Sequence, residues 1–127
     1  MAIVSGIFLV FHGLVHLLYF GQSARRFELT PGMTWPDGAW AFAKWLTPTA
    51  ARVAGCALML MAALGFAAAG AGVLLRQAWG GPAAAWVAVF STVSYILLWD
   101  GRFKKLHNQG AIGILINLAI LGAVFWR

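Results

Sequence analysis

Apolar residues dominate four stretches of this chain, and polar residues gather between them. The stretches cover about residues 2–21, 48–75, 82–99 and 110–126. A helix needs roughly 20 apolar residues to cross the hydrocarbon core of a bilayer. The pattern therefore predicts an all-α fold, a bundle of four transmembrane helices making one domain over 1–127. The connections are unequal. RQAWGG is short, and its Gly80 and Gly81, with Pro82, are expected to end the second helix and start the third. DGRFKKLHNQ makes a short basic turn before the fourth. Only the first connection, 22–47, is long. Within it Trp35-Pro36-Asp37-Gly38 reads as a turn, and AWAFAKWL as a short helix lying in the membrane interface with its Trp, Phe and Leu toward lipid. Thr47-Pro48 supplies an N-cap and a proline at the first helical position, so the second helix is expected to begin there.

Composition supports the same class. Of 127 residues 62% are hydrophobic and 9% charged, against roughly 25% charged in a soluble domain. Such a chain cannot cover itself with a polar surface, so its first partner is the lipid bilayer. The net charge of +6 does not indicate nucleic acid, because the basic residues flank apolar spans, where they orient the protein and meet lipid headgroups. Seven cations (Arg25, Arg26, Lys44, Arg52, Arg102, Lys104, Lys105) fall on one side of the predicted bundle and two (Arg76, Arg127) on the side of the termini. That bias predicts a cytoplasmic 22–47 and 100–109, with both termini outside, as in a bacterial inner membrane. Trp35, Trp40, Trp45 and Trp99 lie near one boundary and Trp79 and Trp126 near the other, as interfacial anchors do. The lone Cys56 lies in a span and reads as a packing residue. The first span has neither a basic start nor a small-x-small cleavage site, so it is not read as a cleaved signal.

The first span carries the one chemical anomaly. GIFLVFHGLVHLLYFG places His12 and His16 four apart, on one face of a helix. Ser5 and Tyr19 share that face, making a polar stripe down an apolar helix. Ionisable groups inside a membrane face other helices or a cavity, so the stripe is expected to face the bundle interior. The last span offers Gly110, Gly113 and Asn117 on one face as its partner, and the third adds Ser91, Thr92, Ser94 and Tyr95. His107, Asp37 and Asp100 are placed to cap the polar interior.

Two readings of the stripe stand together. In the structural one, neutral imidazoles hydrogen-bond between helices. In the functional one, His12, His16, Tyr19 and Asn117 bind a cofactor. The pair could hold a metal with a third ligand from His107, Asp37 or Asp100, each could ligate a separate haem iron or chlorophyll magnesium, or the pair could hydrogen-bond a quinone or lipid headgroup and pass protons. They cannot be both axial ligands of one haem, which approach from opposite faces. No glutamate follows the first histidine, so the hydrolytic zinc-helix motif is absent, as are a phosphate-binding glycine loop and a CxxC pair. No carboxylate sits mid-span, which weighs against a proton-driven transporter. His16 is expected to be the more functional of the pair and His12 to stay neutral at mid-bilayer.

The four-span plan, the first helix FLVFHGLVHL and the last, GIGILINLAILGAVF entered from a short polar turn, resemble the DoxX-like small four-helix membrane proteins. That resemblance implies an association with sulfur- or quinone-linked redox complexes and transfers no functional residue. HGLVHL is also similar to the histidine-bearing stretch of succinate dehydrogenase membrane anchors, where it implies nearby haem and quinone. Taken together, the expectation is an accessory or ligand-binding subunit of a larger redox, respiratory or photosynthetic membrane assembly, partnered by other membrane subunits or by copies of itself. A membrane-embedded quinone- or haem-linked oxidoreductase using the His12/His16 face, and a small homo-oligomeric transporter, are the alternatives.

Overall fold

A computed structural model describes residues 1–41, 45 and 47–126. Its helices are α1 (Ala2–Ser23), α2 (Pro48–Leu74), α3 (Gly80–Leu98) and α4 (Ala111–Phe125), with a 3-10 turn at Leu106–Gln109 before α4. The first three are long and apolar enough to cross a membrane, and the protein is a helical membrane protein. α4 has 15 residues, about 22 Å at the α-helical rise, shorter than a hydrocarbon core of about 30 Å.

Local chemistry sets the helix ends. Thr47 caps α2, its Oγ1 accepting the Ala50 N–H at 3.2 Å, and Pro48 takes the first helical position, as the sequence predicts. α1 and α2 both stop in the same way. Arg25 and Arg76 adopt left-handed backbone conformations, and the next residue's N–H reaches back five positions, Arg26 to Gly21 at 2.9 Å and Gln77 to Gly72 at 2.8 Å. These are Schellman ends built on arginine instead of glycine. The stop after α2 is therefore at Arg76, not at the glycine pair expected to make it. Gly80 is already the first residue of α3, where a Cβ would stand 2.6 Å from the Val73 nitrogen. Residues 35–38 form the predicted turn. Half of the interfacial helix expected over AWAFAKWL, residues 42–44 and 46, lies outside the described residues, and residues 40–41 and 45 are in turns.

Neighbours in sequence are neighbours in space: α1 lies along α2, α2 along α3, and α3 along α4. α2 thus packs against both α1 and α3. The α1–α2 seam is made by close backbone approach. A Cβ on Gly70 would come within 2.7 Å of the Gly6 carbonyl, and one on Gly13 within 2.9 Å of the Ala63 carbonyl. Small residues earn this approach in lipid, where dispersion and hydrogen bonding replace the hydrophobic drive between helices.

Burial along α1 is inverted relative to a soluble helix. Gly6, His12, Gly13 and His16 face inward, while Ile3, Val4, Phe11 and Leu14 face outward. An outward face of large apolar side chains is stable against acyl chains and not against water. Inside, two apolar clusters stack along the bundle. Leu9, Phe66, Ala84, Ala88 and Ile120 form one, and Trp35, Met59, Tyr95 and Leu98 the other. Between them lies a polar layer.

Candidate functional site

The polar layer is built by one residue or pair from each of three helices. α1 contributes His12 and His16, α3 Ser91, and α4 Asn117, all almost wholly buried. His12 Nε2 is 2.8 Å from Asn117 Oδ1. Asn117 Nδ2 is 2.9 Å from Ser91 Oγ and 3.2 Å from Thr92 Oγ1. Ser91 Oγ is 2.7 Å from His16 Nε2, and His16 Nδ1 is 2.9 Å from the His12 carbonyl oxygen.

These contacts assign the protons. A carbonyl only accepts, so His16 carries its hydrogen on Nδ1 and donates to His12. His16 Nε2 must then accept the Ser91 hydroxyl proton. Ser91 in turn accepts one Asn117 N–H, and Thr92 accepts the other. The Asn117 oxygen accepts the Nε2–H of His12. The chain of donors closes on itself: His12 to Asn117, to Ser91, to His16, and back to the His12 carbonyl. Flipping the Asn117 amide would leave its oxygen and His16 Nε2 competing for a single Ser91 proton, so the network fixes the amide orientation. His16, which donates from Nδ1 and accepts at Nε2, is neutral in this pattern.

Aromatic rings enclose the layer. Phe66 of α2 meets the His12 ring edge-on at 4.7 Å and the His16 ring at 5.2 Å. Phe8 stacks parallel to His12 at 6.1 Å, and Tyr95 lies 5.6 Å from His16. Phe66 is the contribution of α2 and is fully buried. Nothing in its run of alanines and glycines singles it out, except that it is the one aromatic residue in α2.

The structure brings together three of the four residues put forward as cofactor-binding, His12, His16 and Asn117. Tyr19 stands apart from their network. Its hydroxyl donates to the His107 carbonyl at 3.2 Å, and its ring packs against Trp35 and Tyr95. Ser5 lies about two turns from His12, on the wall of an apolar cleft of about 280 Å3 lined mainly by α1, α3 and α4. Gly113 does not form the expected approach to α1. A Cβ there would meet the Tyr95 ring of α3 at 3.2 Å, so α4 leans on α3, and Asn117 reaches α1 by its side chain alone.

The three residues proposed to cap the interior are engaged elsewhere. Asp37 pairs with Arg25 at 2.6 Å and Arg52 at 3.4 Å. Asp100 Oδ1 accepts from the Arg102 N–H at 2.8 Å and from Gln109 Nε2 at 3.1 Å. His107 presents its backbone. Among the described residues no three His, Cys, Asp or Glu side chains gather as a metal site would require. Trp35, expected as a surface anchor, is 6% exposed and wedged against Tyr19 and Tyr95. The Cys56 thiol sits 3.9 Å from the Phe20 carbonyl.

Sequence reasoning missed the device that fastens the long connection. Gln22 is fully buried; its Nε2 donates to the Met33 and Trp35 carbonyls and its Oε1 accepts the Leu29 N–H. Arg25 reaches the Thr34 carbonyl at 2.8 Å as well as Asp37. Gln22 follows Tyr19 by three positions and continues the stripe of Ser5, His12 and His16, which is the signal that could have found it.

Compared with protein-family models, curated proteins and solved structures, the chain finds no match in any of the three.

Proposed function

We propose that this chain is a four-span membrane protein serving as an accessory or ligand-binding subunit of a larger redox, respiratory or photosynthetic membrane complex. The closed polar layer carries the reading. Groups that could act on a substrate are engaged in holding α1, α3 and α4 in register, so the layer reads as a structural clasp. Buried polar residues fix register in helical assemblies in the same way, by making every shifted pairing leave a group unsatisfied. The fourth span is α4, with its flanking Gly110 and Trp126 making up length and local thinning of the bilayer accommodating the remainder. The resemblance in layout to DoxX-like proteins supports the redox setting.

A second reading, a quinone-linked oxidoreductase, has one observation in its favour. Among the described residues none hydrogen-bonds Nδ1 of His12, and Phe8, which stacks on that ring, also lines the apolar cleft. A quinol hydroxyl donating to Nδ1, with its tail in the cleft, would use both. Haem ligation by His16 is disfavoured, because both of its nitrogens are engaged.

Purification in mild detergent with mass spectrometry of co-purifying proteins and extracted small molecules, plus an absorption spectrum, tests the choice. Larger membrane subunits in fixed stoichiometry are expected. A chain that purifies alone with a stoichiometric quinone or a visible absorption band overturns the accessory reading in favour of the second. Solute flux by the pure protein in liposomes would make it a transporter.

A further inference from the structure

At the end of the bundle where α1 and α3 terminate, the long connection and the 99–110 segment enclose a cavity of about 430 Å3. Thr30 and Thr34 line one wall and Arg102, Lys104, Lys105 and Asn108 the other. The walls are tied, Thr30 Oγ1 donating to Asn108 Oδ1 at 3.3 Å. Among the described residues the ion pairs are Arg25–Asp37 and Arg52–Asp37, so the three cations of the cavity have no carboxylate partner. Asp100, which also lines it, turns one oxygen to the Arg102 backbone and to Gln109, not to those cations. Trp35 lines the cavity too, and its buried indole Nε1 has no hydrogen-bond partner among the described residues.

The depth of the site is set by its neighbours. Phe103 sits among the cations and is 82% exposed, and Trp45 is 83% exposed. The Trp40 indole donates to the Ile96 carbonyl near the end of α3. Exposed aromatics interleaved with cations at the ends of membrane helices lie at headgroup level. We infer that this cavity binds a phosphate-bearing anion, held by Arg102, Lys104 and Lys105 with the Thr30, Thr34 and Asn108 side chains as hydrogen-bonding partners. Neutral polar groups beside three unpaired cations suit an anion with several acceptor oxygens, and arginine and lysine are the usual phosphate partners. The group is presented either by an anionic lipid or by a soluble phosphate compound.

Native mass spectrometry of the detergent-purified full chain distinguishes these sources. It would be titrated separately with phosphatidylglycerol, phosphatidylcholine and inorganic phosphate. Binding of phosphatidylglycerol in preference to phosphatidylcholine, unaffected by inorganic phosphate, assigns the site to a lipid. Binding of inorganic phosphate, or displacement of the lipid by it, assigns it to a soluble phosphate compound. In either case R102Q, K104Q and K105Q should each weaken binding about fivefold, the size expected for one cation near a charged surface. N108L, which changes no charge, should weaken it as well, with circular dichroism showing the helices intact. R26Q removes an exposed cation outside the cavity and should leave binding unchanged. Equal loss in R26Q and the cavity variants would reduce the effect to diffuse charge and overturn the proposal, as would the absence of any preference for either anion.

Discussion

Oγ of Ser91 lies 2.7 Å from Nε2 of His16, although 75 positions separate them in the chain. The same oxygen accepts from Asn117 Nδ2 at 2.9 Å, so one hydroxyl joins three helices. Ser91→Ala should therefore cost more than its size suggests, leaving His16 Nε2 and one Asn117 N–H without partners. About 1 kcal/mol is expected, within the range of membrane hydrogen bonds. Ser94→Ala is the comparison, because Ser94 is equally buried but donates only to the Phe90 carbonyl of its own helix. Thermal unfolding in one detergent should place Ser91→Ala below Ser94→Ala; the reverse order would count against the clasp.

Asn117 and Leu118 adjoin in sequence and differ completely in place. Asn117 is fully buried, and Leu118 is 53% exposed on the outer face. Asn117→Leu removes the partner of His12 and should lower the unfolding midpoint more than Leu118→Ala. Combining Asn117→Leu with His12→Phe should cost less than the sum of the two, because each alone already breaks the same bond. Strict additivity would mean that the pair is not coupled.

Phe at position 16 keeps ring bulk and deletes both hydrogen bonds of His16. His16→Phe should be the more destabilising of the two histidine replacements, by about 1–2 kcal/mol, and neither should change any absorption band if the layer is structural. Loss of a co-purified small molecule from a still-folded variant would move the reading to a cofactor site.

Gly70 and Gly122 separate close approach from simple helix propensity. A Cβ at Gly70 would enter the Gly6 carbonyl, whereas at Gly122 it meets nothing within 4 Å. Gly70→Ala should lose about 1–3 kcal/mol by prying α1 from α2. Gly122→Ala should be neutral or stabilising, since alanine is the better helix former by roughly 1 kcal/mol. Midpoints in urea or with heat read both.

The asymmetry of basic residues gives an orientation that can be probed directly. With Cys56 replaced by alanine, single cysteines at Thr34 and Lys104 in intact cells should resist an impermeant thiol reagent, and one following Trp126 should react. The opposite pattern would reverse the assignment of the 22–47 and 100–109 connections to the cytoplasm.

By itself the sequence determined the helical membrane class, the helix boundaries to within a few residues, the Thr47-Pro48 start, and the polar face of α1. These are local or compositional properties: apolar run length, capping chemistry, and a period of 3.6 residues act within one segment. The burial of His12 and His16 followed from the same physics, since an imidazole in lipid has nowhere else to find a partner. Which partners they found was decided only by the tertiary structure. Ser91, Ser94, Thr92 and Tyr95 are equally plausible on a helix drawn alone, and packing of α3 against α2 and α4 selected Ser91 for His16 while Tyr95 filled the space beside Gly113. The same holds for Trp35, which interfacial statistics place at the surface and which the folded connection buries under the pull of Gln22 and Arg25. Side-chain direction around a helix axis is a local quantity, but which neighbour occupies that direction depends on how four helices share one interior, and no single segment of the chain contains that information.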